Sequence, residues 1–264
     1  MQYTPLLGPA SPENGWVPAP RYLLRRRRIL RQLQRFAPGK VLEIGCGAGM
    51  LLQELSSRGF ECTALETSAQ ARQLIEKVAT ETGHDIHIAQ APSSSWEGTF
   101  PLVMAFEVLE HIEHHHEALR QWASWLAPGG TLLMSVPAHP RLWNAADVWA
   151  GHYRRYTRAG LIEAIQAAGL EIEHIECFGF PLGNLTEQMQ ARGIRRRLPE
   201  RDQDLGDHQA NSDRSGIERN HVLRWYPMMR SLPGRLALHA AFAAQALTCR
   251  LPLGNGYLLR ARVR

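Results

Sequence analysis

Cysteine is scarce in this chain and scattered along it. Four cysteines in 264 residues, Cys46, Cys62, Cys177 and Cys249, form no CxxC pair. That spacing argues against a disulfide framework or a cysteine zinc site and fits a reducing compartment. Long apolar runs are also missing. The most apolar segment, Leu236 to Cys249, is broken by His239 and Gln245 and flanked by Arg235 and Arg250. It falls short of the roughly 20 apolar residues that a membrane span requires. The first twenty residues hold no basic stretch followed by an apolar core, so no secretory leader is expected. A cytoplasmic protein without a transmembrane segment is the expectation.

What is plentiful is arginine. The formal charge is +5, and the basic residues gather in "RYLLRRRRILRQLQR" and "ARGIRRRLPER". Such clusters can attract nucleic acid, anionic lipid or a phosphorylated substrate. The first also carries Leu23, Leu24, Ile29, Leu30, Leu33 and Phe36 at helical spacing, so a solvated surface helix accounts for it without a ligand. Aromatics of the kind that stack bases are not interleaved with the arginines. DNA and RNA are therefore not the expected partners.

Residues 1–18, rich in Pro and Gly, read as an irregular arm, and a helix is expected over 20–36. Short apolar runs then alternate with helical patterns. Strands are expected at 40–45, 60–66, 85–89, 102–106 and 131–136, with helices near 48–58, 68–82, 115–126 and 157–168. This alternation implies βαβ units around a parallel sheet with helices on both faces. "APGG" at 127–130 reads as a turn before the fifth strand. A sixth strand is expected at 170–180 and a seventh at 256–263, separated by a polar middle, 199–220, and an apolar helix at 233–251. The organisation is an arm and helix at 1–38, a core domain at 39–180 plus 255–264, and a helical, flexible lid insertion at 181–254.

"KVLEIGCGAGMLLQEL" places Gly45, Gly47 and Gly49 between a strand and a helix. That arrangement offers backbone N–H groups at a helix N-terminus. A Walker loop is absent, and Met50 stands where a dinucleotide loop needs its third glycine. The segments "VLEIGCGAG", "TALETS", "LVMAFEVLEHI" and "LAPGGTLLMSVP" follow in order. Together they resemble the motifs of class I S-adenosylmethionine-dependent methyltransferases. The loop "VPAHPRLWNAADVWAGHYRRYT" resembles that of a bacterial small-molecule subgroup. The resemblance covers about 39–180. It implies a Rossmann-like, doubly wound seven-stranded α/β sheet, mostly parallel with its last strand antiparallel, and a helical insertion between strands six and seven. It also implies S-adenosyl-L-methionine as cofactor, held by Glu43, Gly45, Cys46, Gly47, Gly49, Glu66, Thr67, Gln90, Ala91 and Glu107. Glu66 would accept the ribose hydroxyls. Gln90 and Ala91 stand where the family commonly has an Asp and a small residue beside adenine, and Pro101 replaces the Asp of "FDLV".

Methyl transfer needs in-line alignment and, for a hydroxyl acceptor, proton removal. Catalytic candidates are His152, chosen first because imidazole titrates near neutrality, His111 and Tyr156. His139, Trp143, Asp147 and Arg155 are candidates for acceptor binding. A structural alternative stays open for "GHYRRYT", with Thr157 as a helix cap and Arg154 or Arg155 paired to Asp147. His111 and His115 lie four apart, but no carboxylate or cysteine completes a metal signature, so no metal is expected and His114 to His116 read as a solvated face. The function expected is methyl transfer to a small or amphipathic molecule, anionic or lipid-like, with oxygen as the favoured atom. The alternatives are RNA methylation through the basic patches and cofactor binding without catalysis.

Overall fold

The computed structural model describes residues 1–197 and 220–263. An N-terminal hairpin, β1 (Gln2–Thr4) and β2 (Gly8–Ala10), leads into α1 (Pro20–Leu33). The chain continues through β3 (Lys40–Ile44), α2 (Met50–Ser56), β4 (Glu61–Leu65), α3 (Ala69–Thr82), β5 (Ile86–Ala89), β6 (Phe100–Phe106), α4 (His115–Ser124) and β7 (Leu126–Pro137). After α5 (Ala145–Ala150), α6 (Arg158–Ala167) and β8 (Leu170–Phe178) come α7 (Leu182–Arg197), α8 (Asn220–Leu223), α9 (Tyr226–Arg230), α10 (Leu232–Thr248) and β9 (Gly256–Val263).

The main sheet has seven strands in the order β5-β4-β3-β6-β7-β9-β8. β3 to β7 pair in parallel, and β9 runs antiparallel to both β7 and β8. This is the expected mostly parallel, doubly wound arrangement. Alternation along the strands explains the two apolar layers. Leu42, Val103 and Leu132 pack with Trp122 and Leu161, whereas Val41, Leu102 and Leu133 pack with Ile29, Leu52 and Ile75. Helix starts follow local chemistry: the Ser68 hydroxyl accepts the Ala71 N–H at the head of α3, and Thr157 accepts that of Gly160 at the head of α6.

Two expectations need correction. Residues 1–18 are not an irregular arm: β1 and β2 pair as a hairpin, and Leu7, Ala10, Trp16 and Val17 are buried. The turn expected at "APGG" is present inside the β7 span: Phe100 faces Leu126 and Leu102 faces Thr131, so 127–130 pair with nothing on β6, and Gly129 has φ of +72°. The first arginine cluster is not a solvated face. Arg26 forks onto Glu54 at 2.7 and 2.6 Å, and Arg28 onto Glu176 at 2.6 and 2.6 Å, all four buried. Of the arginines in that cluster only Arg27, Arg31 and Arg35 stand exposed. Of the polar middle expected at 199–220, everything before Asn220 lies outside the described residues.

Glu54 also accepts from Arg58, so its loss leaves two guanidinium groups without their carboxylate. Removing one partner of a buried pair typically costs about 3–5 kcal/mol. Glu54→Ala is expected to lower unfolding stability by about that much in urea titration. A loss under about 1 kcal/mol would mean that Arg26 finds other compensation.

Candidate functional site

The strand order reverses between β3 and β6, and the crevice beyond their C-terminal ends is where an open α/β sheet binds ligands. The chain crosses it as the loop 45–49. Gly45, Gly47 and Gly49 have φ of +60°, +54° and +65°, a region that costs other residues strain. Space forbids side chains too: a Cβ on Gly45 would lie 2.7 Å from Val108 Cγ2, and one on Gly49 2.8 Å from Ile75 Cγ1. Glu66, at the end of β4, braces the loop. Its Oε2 accepts the Gly47 N–H at 2.8 Å and its Oε1 the Ser68 N–H at 2.9 Å.

Two cavities flank this loop. One, of about 730 Å³, is lined by Leu65, Glu66, Thr67, Gln90, Trp122 and Trp125 among others. The second, of about 230 Å³, is closed by Trp16, Arg21 and Tyr22 from the N-terminal segment, by Asp147, Trp149, His152 and Arg155, and by Gln190 of α7. Gly45, Gly47, Glu107 and His111 line both. The cavities therefore meet at the loop and the end of β6.

Glu107 sits at that junction with φ of +58°, an uncommon conformation for a non-glycine residue and a form of strain found at functional sites. Its carboxylate accepts from Arg21 at 2.5 Å and from Ser135 Oγ at 3.0 Å, with Arg25 3.6 Å away. Burial opposes its charge, but Arg21 and Arg25 outweigh burial and hold the carboxyl below its usual value.

A buried polar network supports the second cavity. Asp147 takes a two-pronged contact from Arg155, at 2.8 and 2.7 Å, and accepts from His152 Nδ1 at 2.9 Å. It also closes a capping box with Asn144 at the start of α5. Burial works against charge on Asp147, but the hydrogen bonds from His152 and Arg155 prevail and bring it down to about 2. Glu187 of α7 accepts from Arg155 at 2.5 Å, Asn144 at 2.9 Å and Asn255 at 2.5 Å. His152 Nε2 is left 3.9 Å from Oε1 of Glu110.

The structure gathers many, but not all, of the residues the sequence singles out. Glu43, Gly45, Cys46, Gly47, Glu66, Thr67, Gln90 and Glu107 line one cavity or the other, as do His111, Asp147, His152 and Arg155. Gly49 caps α2 behind the loop, and Ala91 is exposed. Tyr156 is buried in the core, with its hydroxyl 3.2 Å from His115 Nδ1. His139 turns toward Tyr257, and Trp143 is exposed. None of these last five lines either cavity. His115 is half-buried rather than solvated, and burial together with nearby Arg154 takes its imidazole down to about 4. Both structural alternatives are realised as well, with Thr157 as a cap and Arg155 paired to Asp147. Arg21, Arg25, Glu110 and Glu187 were not among the expected site residues. Their positions follow from packing between distant segments, which no local spacing signals.

Burial pushes Glu43, on β3 beneath the loop, up to about 8. Its ordinary value is 4.5, so the folded chain holds a proton that the unfolded chain releases between those two pH values. Stability contributed by Glu43 is complete below pH 4.5 and is lost as pH rises toward 8. Glu43→Gln cannot ionise. Its melting temperature should gain on the parent progressively from pH 5 to pH 8, and a constant difference across that range would contradict the assignment.

Comparison with known proteins adds to this geometry. Residues 21–175 match the family model described as "Methyltransferase domain". A ubiquinone biosynthesis O-methyltransferase of Caulobacter sp. (strain K31) is 33% identical over 122 residues, which are 42% of this chain and 48% of that protein. The enzyme of the same description from Xanthomonas euvesicatoria is 26% identical over 64% of this chain and 75% of its own length. The chain thus spans about half the length of the Caulobacter relative and more of the other. Among solved structures, an S-adenosylmethionine-dependent methyltransferase from Mesorhizobium loti aligns with TM-score 0.54 at 17% identity, covering 92% of this chain and 98% of that one. The cyclase SpnF aligns with TM-score 0.57 at 16% identity, covering 97% and 85%. At such identities the likeness shows the fold alone.

Proposed function

The chain belongs to the methyltransferase-domain family, within the class I S-adenosylmethionine-dependent enzymes, and from that membership we propose that it methylates a hydroxyl of a small molecule. The observation that carries this reading is the pair of cavities meeting at Gly45, Gly47, Glu107 and His111. One has room for a methyl donor and the other adjoins it as a separate acceptor chamber.

The residues present fit the donor. S-adenosylmethionine supplies an electrophilic methyl group on a sulfonium sulfur and carries no phosphate, in keeping with a loop that has no Walker lysine. Glu66 offers carboxylate oxygens to the ribose, Gln90 an amide to the adenine, and Trp122 and Trp125 apolar surface nearby. Gly45 and Gly47 permit close backbone approach. Glu107 and Arg21 present opposite charges to an amino-acid end, Glu107 lining both cavities and Arg21 the smaller. On the acceptor side, Asp147 fixes the ring of His152, and His111 and His152 line the smaller cavity, where a hydroxyl must shed its proton, with Glu110 buried beside them. Arg155 and Glu187 hold Asp147 and so act as positioning residues.

Two observations bear on the acceptor. The outer face of α10 exposes Leu232, Leu236, Ala240, Ala243 and Leu247 at helical spacing, and residues 220–255 contain Arg224, Arg230, Arg235 and Arg250 but no acidic side chain. An apolar helix face with cationic residues around it suits an anionic lipid surface. An amphipathic, lipid-like acceptor fits that surface. RNA methylation is less well supported, because Arg21, Arg25, Arg26 and Arg28 are engaged with carboxylates. Binding without catalysis does not match relatives described as O-methyltransferases.

Calorimetric titration with S-adenosylmethionine and transfer of a labelled methyl group to hydroxylated compounds, with and without apolar tails, test this reading. Glu66→Ala is expected to weaken donor binding at least tenfold. His152→Ala should keep donor binding and lose about a hundredfold or more in turnover. Donor binding unchanged in Glu66→Ala would overturn the ribose assignment. The double variant Leu236→Asp, Leu247→Asp should bind donor normally yet co-sediment less with anionic phospholipid vesicles. Equal sedimentation would remove the lipid-surface reading.

A further inference from the structure

Glu110 is the anomaly of the site. Its side chain is fully buried and neither carboxylate oxygen accepts a hydrogen bond, an arrangement that costs the full desolvation of the group. Around it stand two imidazoles. Glu110, His111 and His152 bring one carboxylate oxygen and two ring nitrogens within 4.8 Å of one another, and the two rings lie edge to face with centroids 4.7 Å apart. His152 binds Asp147 through Nδ1, which leaves Nε2 directed at Glu110. A carboxylate holding the far nitrogen of an imidazole is the usual outer support of a metal-ligating histidine.

We propose that Glu110, His111 and His152 form a binding site for a divalent cation of the zinc type, set at the junction of the two cavities. Zinc with nitrogen and carboxylate ligands at about 2.0–2.2 Å holds them roughly 3.4 Å apart in a tetrahedron. The present separation of 3.9 Å between His152 Nε2 and Glu110 Oε1 closes to that with small side-chain rotations. Two imidazoles favour zinc-like ions over magnesium or calcium, which take oxygen ligands. Three protein ligands leave a fourth position, and His111 and His152 both line the acceptor cavity. Its occupant is the acceptor hydroxyl, a step that rests on the methyl-transfer reading above. The cation makes that hydroxyl more acidic, as it does bound water. The O–H bond breaks and its proton passes to water. The oxygen then forms a bond to the methyl carbon, and the C–S electron pair stays on sulfur as a thioether. His152 acts in this step as a ligand.

The test uses the full chain, stripped with chelator and titrated with zinc by calorimetry and with cobalt(II) by visible absorption. One equivalent per chain is expected, with the intense d–d bands of a four-coordinate site. Glu110→Gln and His152→Ala should each abolish those bands, and Asp147→Asn should weaken binding about 10–100-fold. His116→Ala and His174→Ala, outside the cluster, should bind as the parent does. Circular dichroism and melting check that each variant folds, and either of the two ligand variants suffices if the other does not. No binding, or binding unaffected by whichever ligand variant folds, overturns the site. Donor binding measured in the same samples separates the two ideas. Zinc bound without donor binding overturns the methyl-transfer reading alone, and donor bound without zinc overturns the metal site alone.

Discussion

Everything at the site depends on β3 and β6 lying side by side in parallel while the chain leaves them in opposite directions. Two neighbouring strands whose connections diverge cannot fill the space beyond their C-terminal ends, so a crevice is unavoidable there. The glycine loop after β3 and Glu107 after β6 form its two lips. Both adopt left-handed backbone, and for Glu107 that conformation is held by the Ser135 contacts and by Arg21. The sheet supplies rigidity, and strain is confined to the residues that would touch a ligand.

Buried charge then ties distant segments to the crevice. Arg21 and Arg25 bring α1 over Glu107, and Glu187 brings α7 onto Arg155 and Asn255. Charges inside a protein are tolerated only when paired, so these contacts fix the arrangement of segments more than they raise stability. Asp147 is the clearest case, since one carboxylate caps α5, holds Arg155 and sets the orientation of His152. The wall of the smaller cavity is thereby assembled from the N-terminal segment, the loop after β7, and α7.

Much of the fold was legible in the sequence because buried parallel strands are short apolar runs bounded by glycine and helix signals. Strands at 40–44 and 256–263 match the expected bounds within a residue. The donor side was legible for a similar reason, since Gly45, Gly47 and Glu66 act through backbone geometry and a strand end that adjacent residues encode. The acceptor side was not. Tyr156 and His139 sit in a motif with His152, yet a bridge between Ala138 and Tyr156 turns Tyr156 into the core beside Leu109, and His139, at φ of +59°, turns toward Tyr257. Conversely, Arg21 lies 86 residues from Glu107, and its helix reads as amphipathic with arginine outward. Spacing reports which side of a helix is apolar, but not which carboxylate a distant strand will place beneath it.

The central claim is that the crevice holds S-adenosylmethionine with its reactive end at the cavity junction. A crystal structure with S-adenosylhomocysteine bound tests it directly. The account predicts ribose hydroxyls on Glu66, adenine near Gln90, and the sulfur between Gly45 and His111, facing the chamber lined by Trp149 and His152. Density elsewhere, or a sulfur directed away from that chamber, would contradict it.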